Sequence, residues 1–171
     1  QSVLQNIRES IKWKGMKEYL KLAIPSAFMM ALEVWCFNMM TILSTLLSAT
    51  ITATNAVVLN VTGVTVMVPI NIGVAAGVRV GNNIGSGNAR TAKVACWMSL
   101  LVGVAFMAAN GVMLVTLRNQ LAKAFTDDPV VMEMVTWVYP LAAIFQIFDG
   151  AQCVCGGVIR GMGRQVTGLV A

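Results

Sequence analysis

Histidine is absent from this 171-residue chain, and only 11% of its residues are charged. The first absence removes the commonest metal ligand and the commonest general base. The second argues against a soluble domain, which carries about 25% charged residues. Acids are the scarcer sign, seven against twelve lysines and arginines. No nucleophile–base pair stands out, so no enzyme chemistry is expected. The four cysteines, Cys36, Cys96, Cys153 and Cys155, all lie in apolar segments. Residues two apart do not face each other on a helix, so 153-CVC-155 is a poor metal clamp. Packed or lipid-facing thiols are expected, with no metal site and no cofactor.

What fills the chain instead is apolar, 57% of it. A spanning helix needs roughly 20 mostly apolar residues. Four such segments are predicted, at about 19–47, 52–78, 92–117 and 129–158, and a fifth begins near Val166. Backbone groups in lipid must bond internally, which leaves helices or a closed barrel. These runs are about twice a barrel strand and lack its strict alternation. The expected fold is all-α, a polytopic transmembrane helix bundle. The chain starts at Gln1 and stops inside an apolar run, so a piece of a larger membrane protein is expected. Residues 1–16 suit a connector on the membrane surface, and residues 17–171 the bundle.

The net charge is +5, and the cations sort by loop. Arg8, Lys12, Lys14, Lys17 and Lys21 precede the first span. Arg79, Arg90 and Lys93 follow the second, and Arg160 and Arg164 follow the fourth. These ten share one side if the spans alternate, and only Arg118 and Lys123 fall on the other. The positive-inside rule makes the ten-residue side cytoplasmic. The lipid bilayer accounts for the basic excess, and no nucleic-acid partner is expected. The links between spans are read as a tight hairpin at 48-SATIT-52, a polar loop at 79-RVGNNIGSGNARTAK-93 and a loop at 118-RNQLAKAFTDDP-129. Asn88 is a candidate helix cap, and Asp127–Asp128–Pro129 a helix start signal.

Two acids lie inside spans. Glu33 is twelve residues beyond Lys21, roughly 18 Å from the inner edge at a helical rise. Asp149 is eleven residues before Arg160, roughly 16 Å from the same edge. The hydrocarbon core is about 30 Å thick, so both reach the midplane on helices that run in opposite directions. A charge there costs about 2.5–3.5 kcal/mol on insertion scales. The charged form suffers most, so proton uptake relieves the cost. That is the chemistry of proton coupling, although two carboxylates also suit a sodium ion.

Around Asp149, Gln146, Gln152 and Cys153 share a helical stripe, with Tyr139 further out. Around Glu33, Ser26, Met30, Phe37, Met40 and Ser44 share a face. Met and Phe offer an adaptable wall to an apolar ligand, and an acid beside aromatics attracts a lipophilic cation. Asn60, Asn71, Thr62 and Thr65 make the second span polar in places. Pro25, Pro69 and Pro140 interrupt three spans and are candidate bends. The glycines of 160-RGMGR-164 lack the spacing and strand of a phosphate cradle, so a tight inner turn is expected.

Three motifs carry a family resemblance. They are 20-LKLAIPSAFMMALEVWCF-37, 79-RVGNNIGSGNARTAK-93 and 148-FDGAQCVCGGVIRGMGRQ-165. With them the chain resembles the second half of a eukaryotic, plant-like MATE (multidrug and toxic compound extrusion) transporter over nearly all of residues 12–171. Gly81 and Ile84 are mild departures. The resemblance implies a twelve-helix fold of two six-helix lobes. This chain would supply helices seven to ten and the start of eleven, a partial C-terminal lobe. It implies an integral membrane protein of the plasma or vacuolar membrane, with the connector cytoplasmic and an N-terminal lobe as partner. It implies export of organic cations, xenobiotics or secondary metabolites by antiport with protons. Glu33 and Asp149 then take the positions of the coupling acids. Many plant members have a second acid five residues after the first, where this chain has Asn38. Gln152 falls near the acid of helix ten. The competing readings are a sodium-driven antiporter of the same fold, a lipid-linked precursor flippase and a non-transporting scaffold. A flippase cavity is often lined with Arg, which the middle of these spans lacks.

Overall fold

A computed structural model describes residues 13–163. Five helices follow one another: α1 (Trp13–Leu47), α2 (Ala49–Gly85), α3 (Ala89–Thr116), α4 (Arg118–Phe125) and α5 (Pro129–Gly161). No strand occurs among the described residues. Four helices are long and apolar enough to cross a membrane. The proposed connector over 1–12 and the fifth span from Val166 lie outside the described residues, while Trp13–Met16 already continue into α1.

The links are tighter than the polar composition predicts. Ser48 alone separates α1 from α2. Its backbone is extended and its hydroxyl accepts the Ile51 N–H at 3.2 Å, an N-cap. The stretch expected to loop from Arg79 to Lys93 is helical except at Ser86–Gly87–Asn88. Asn83 Nδ2 donates to the Arg79 carbonyl at 2.7 Å, and Ser86 Oγ to the Asn83 carbonyl at 3.0 Å. These side chains bond their own helix, so polarity marks a wet helix end. The reversal itself needs Gly87, whose φ is +77°. Asn88 then caps α3 by accepting the Thr91 N–H at 3.5 Å. The expected loop at 118–129 holds α4. Leu121 and Ala122 pack into the core cluster, and burying them sustains two extra turns. Asp128 caps α5 by accepting the Val130 N–H at 2.9 Å, with Pro129 in the first turn.

The core lies between α2, α3 and α5. One end is a cluster of Val57, Val61, Leu114, Val131, Val135, Tyr139 and Ala143, with Ala122 of α4. The other is Ala76, Val80, Ala92, Ala95 and Val158. Between them α2 and α5 meet backbone to backbone. A methyl on Gly73 would sit 2.6 Å from the Cys153 carbonyl oxygen, and one on Gly77 2.5 Å from that of Gly157. Small residues allow this approach where lipid supplies no hydrophobic drive. Helix α1 stands apart. It packs chiefly on α2, where Asn55 Nδ2 donates to Thr41 Oγ1 at 3.3 Å, and most of its large apolar residues are exposed. An open cleft therefore runs between α1 and the α2–α5 pair.

Candidate functional site

The cleft is a cavity of about 680 Å³. From α1 it is lined by Met30, Glu33, Cys36 and Phe37. From α2 come Leu59, Thr62 and Val66, and from α5 Phe145, Gln146, Asp149, Gln152, Cys153 and Arg160. Helical periodicity explains the α5 wall, since Phe145, Asp149, Gln152, Gly156 and Arg160 recur every three to four residues. Met30, Glu33 and Phe37 do the same on α1.

The structure brings the two intramembrane acids together. Ligand atoms of Glu33, Asp149 and Cys153 lie within 4.8 Å of one another, and both acids are half-buried. One turn away, Phe37 and Phe145 meet edge to face with centroids 6.5 Å apart and planes at 83°, the favoured aromatic geometry. The acids thus sit beside an aromatic pair in a wall that is otherwise mostly apolar. Gln146 anchors the α5 side. Its Nε2 donates to Thr65 Oγ1 of α2 at 2.5 Å, while its Oε1 is buried without a hydrogen-bond partner.

Three candidate cavity residues are corrected. Tyr139 is fully buried in the core cluster and does not line the cleft. It lies on the α5 stripe that faces α2 and α3, rotated from the cavity stripe. Asn38 is five residues beyond Glu33, roughly 140° around the helix at 100° per residue, and is exposed on another face. Asn71 is also exposed, with its Nδ2 spent on the Met67 carbonyl at 2.7 Å. Met30, Phe37, Gln146 and Gln152 do line the cavity. Pro25, Pro69 and Pro140 all lie inside helices, and Pro69 is fully buried.

Sequence reasoning missed three features of the site. Phe145 is one turn before Asp149, a spacing that could have revealed it. Arg160 reads in the sequence as a loop cation. Its guanidinium folds back toward Gly156, with Nη1 3.6 Å from where a methyl there would sit, and the residue lines the cleft. The sequence places Cys153 on the polar stripe but does not show its closeness to Glu33, which comes from another helix. The fold thus brings three potential ligand atoms together from two helices.

The MatE family profile matches residues 25–171. The chain belongs to the MatE family. Multidrug and toxin extrusion protein 2 of Mus musculus is 41% identical over 152 residues, covering 89% of this chain and 26% of that protein. Protein DETOXIFICATION 16 of Arabidopsis thaliana is 33% identical, covering 94% of this chain and 35% of that protein. In structure, the chain superimposes on the eukaryotic MATE transporter AtDTX14 with a TM-score of 0.86 at 30% identity, over 92% of this chain and 36% of that one. This MatE chain therefore spans about a quarter to a third of the length of these relatives. Its apolar helices and this kinship make it an integral membrane segment.

Proposed function

We propose that the chain is part of the C-terminal lobe of a secondary active transporter, not an enzyme. The whole protein exports organic cations, among them xenobiotics or secondary metabolites, by antiport with protons. The observation that carries this reading is the meeting of Glu33 and Asp149 from different helices inside an apolar cleft. An intramembrane acid is costly, and such residues mark ion and substrate pathways. Two acids within a few ångströms repel when both are charged, so at least one holds a proton or a cation offsets them. A lipophilic cation resting on Phe37 and Phe145 supplies that offset. Cation and proton then compete for one site, which is the requirement for antiport. The names of the relatives support the extrusion of drugs and toxins, and the ten-to-two cation asymmetry supports a cytoplasmic N-terminal connector. The N-terminal lobe closes the other side of the cleft, and Pro25 and Pro140 are the points where α1 and α5 bend between access states.

The test is uptake of a fluorescent organic cation by liposomes holding the full-length protein, acid inside, in sodium-free buffer. The pH gradient alone drives uptake in the wild type, and Glu33→Gln reduces it to background. Uptake that waits for a sodium gradient assigns coupling to sodium, and equal uptake in the variant removes Glu33 from the mechanism.

A further inference from the structure

The cleft does not stop at the acids. A second groove of about 500 Å³ lies at the C-terminal ends of α2 and α5. Its floor is Gly77 and Gly81 of α2 against Gly157 and Gly161 of α5, so little side-chain bulk stands in it. One face of α2 joins the two spaces. Val66 and Ile70 line the cleft, and Val74 and Val78, at the same four-residue spacing, line the groove. Arg160 lines both, and among the described residues it is the one charged side chain in the groove. A basic residue in the last turn of a helix ordinarily serves the helix dipole. Arg160 instead turns back along α5, with Nη1 beside Gly156, which itself lines the cleft. Its guanidinium keeps its charge whatever it bonds to.

We propose that this groove is a second mouth of the cleft and that Arg160 is its charge filter, a residue that decides which cations reach the acids from the end where α2 and α5 finish. A fixed positive charge in a narrow passage with low-dielectric walls raises the barrier to compact cations, as arginines do in selective pores. A bulky organic cation meets a smaller barrier, because its charge is spread and its apolar surface rests on Val74 and Val78. The filter keeps inorganic cations on that side from occupying Glu33 and Asp149. Its purpose rests on the transport reading above, but its geometry and its test do not.

The experiment reads access to Cys36, which lines the cleft and is exposed. Full-length protein with its other cysteines changed to serine is placed in sealed vesicles of known orientation. Methanethiosulfonates of matched size, one cationic and one neutral, are added on the groove side. The Cys36 thiolate forms a mixed disulfide and displaces methanesulfinate, whether or not the protein transports anything. Arg160→Gln should speed the cationic reagent by about tenfold relative to the neutral one, the low end of electrostatic effects on local ion concentration. Arg160→Lys, which keeps the charge, should leave the ratio near that of the parent. Val78→Trp, which narrows the groove, should slow both reagents. In the parent, which needs no further variant to fold, raising the salt should bring the cationic rate up towards the neutral one, because a repulsion is being screened. A cationic-to-neutral ratio that is unchanged in Arg160→Gln, or that falls with salt, overturns the filter. Rates untouched by Val78→Trp overturn the mouth. Loss of uptake in the transport assay, with these labelling results intact, would count against the transport reading alone.

Discussion

At the scale of single residues, the two intramembrane acids carry a stability cost. Glu33 and Asp149 occupy an apolar cleft where leucine would be cheaper. Replacing Glu33 with Leu is expected to stabilise the full-length protein by up to about 2–3 kcal/mol on insertion scales, seen as a higher thermal midpoint, while abolishing pH-driven uptake. Glu33→Gln and Asp149→Asn should each lower that uptake by at least ~10-fold, and the double variant should be no worse than either, because acids that share one site fail as a unit. A uptake assay of the two single variants and the double variant checks this, and additive losses would separate the two residues. Phe37→Ala should leave the proton gradient usable but weaken cation affinity by about 0.5–2 kcal/mol, the range of an exposed to desolvated cation–π contact. The acids were legible from the sequence because charge is so scarce that two buried carboxylates stand out, and helical rise gives their depth. Tyr139 was not, because periodicity assigns a side chain to a stripe without saying which neighbour covers it. On α5 the stripe through Tyr139 and Ala143 is the packing side, the stripe through Phe145, Asp149 and Gln152 is the cavity side, and Gln146 stands at their boundary, bonded to Thr65 and lining the cleft.

At the scale of elements, the α2–α5 contact sets the shape of the cleft. A methyl on Gly157 or Gly161 would run into the backbone of Gly73 or Gly77. Neither helix has a flexible side chain there to give way. Gly157→Ala should therefore destabilise the full-length protein by about 1–3 kcal/mol, the cost of overpacking. Gly63→Ala, where nothing lies within 4 Å, should be neutral or stabilising by up to about 1 kcal/mol from helix propensity. Thermal unfolding of both variants in detergent decides this, and equal effects would contradict it. Helix ends were the least legible part of these elements. Apolar runs locate the lipid-embedded portion of a helix, but α2 and α5 continue past it on residues that bond their own turns, as Asn83 does. The start of α5 was legible because Asp128 and Pro129 act locally, the one by capping and the other by fixing its own φ. Asp128→Ala should cost about 1 kcal/mol.

At the scale of the whole molecule, α1 is the element whose partner matters most. It touches the rest of the chain chiefly through α2 and presents Phe28, Trp35 and Met39 outward. In the full-length protein, lipid and the proposed N-terminal lobe cover that surface. The proposed function requires Glu33 to approach or leave Asp149 as the cleft is loaded, and the loose attachment of α1 is compatible with that. The fold class was readable from composition, but the pairing of α1 with α5 was not, because no local pattern encodes which helices face each other. Matched depth narrowed the choice, and tertiary packing made it.

Competition between cation and proton at the paired acids is tested most directly by proton release. Adding an organic cation to the full-length protein in weakly buffered detergent solution should release protons in proportion to cation bound. Release should disappear in Glu33→Gln and in Asp149→Asn. Cation binding with no proton release, or with equal release in wild type and both variants, would contradict the shared site.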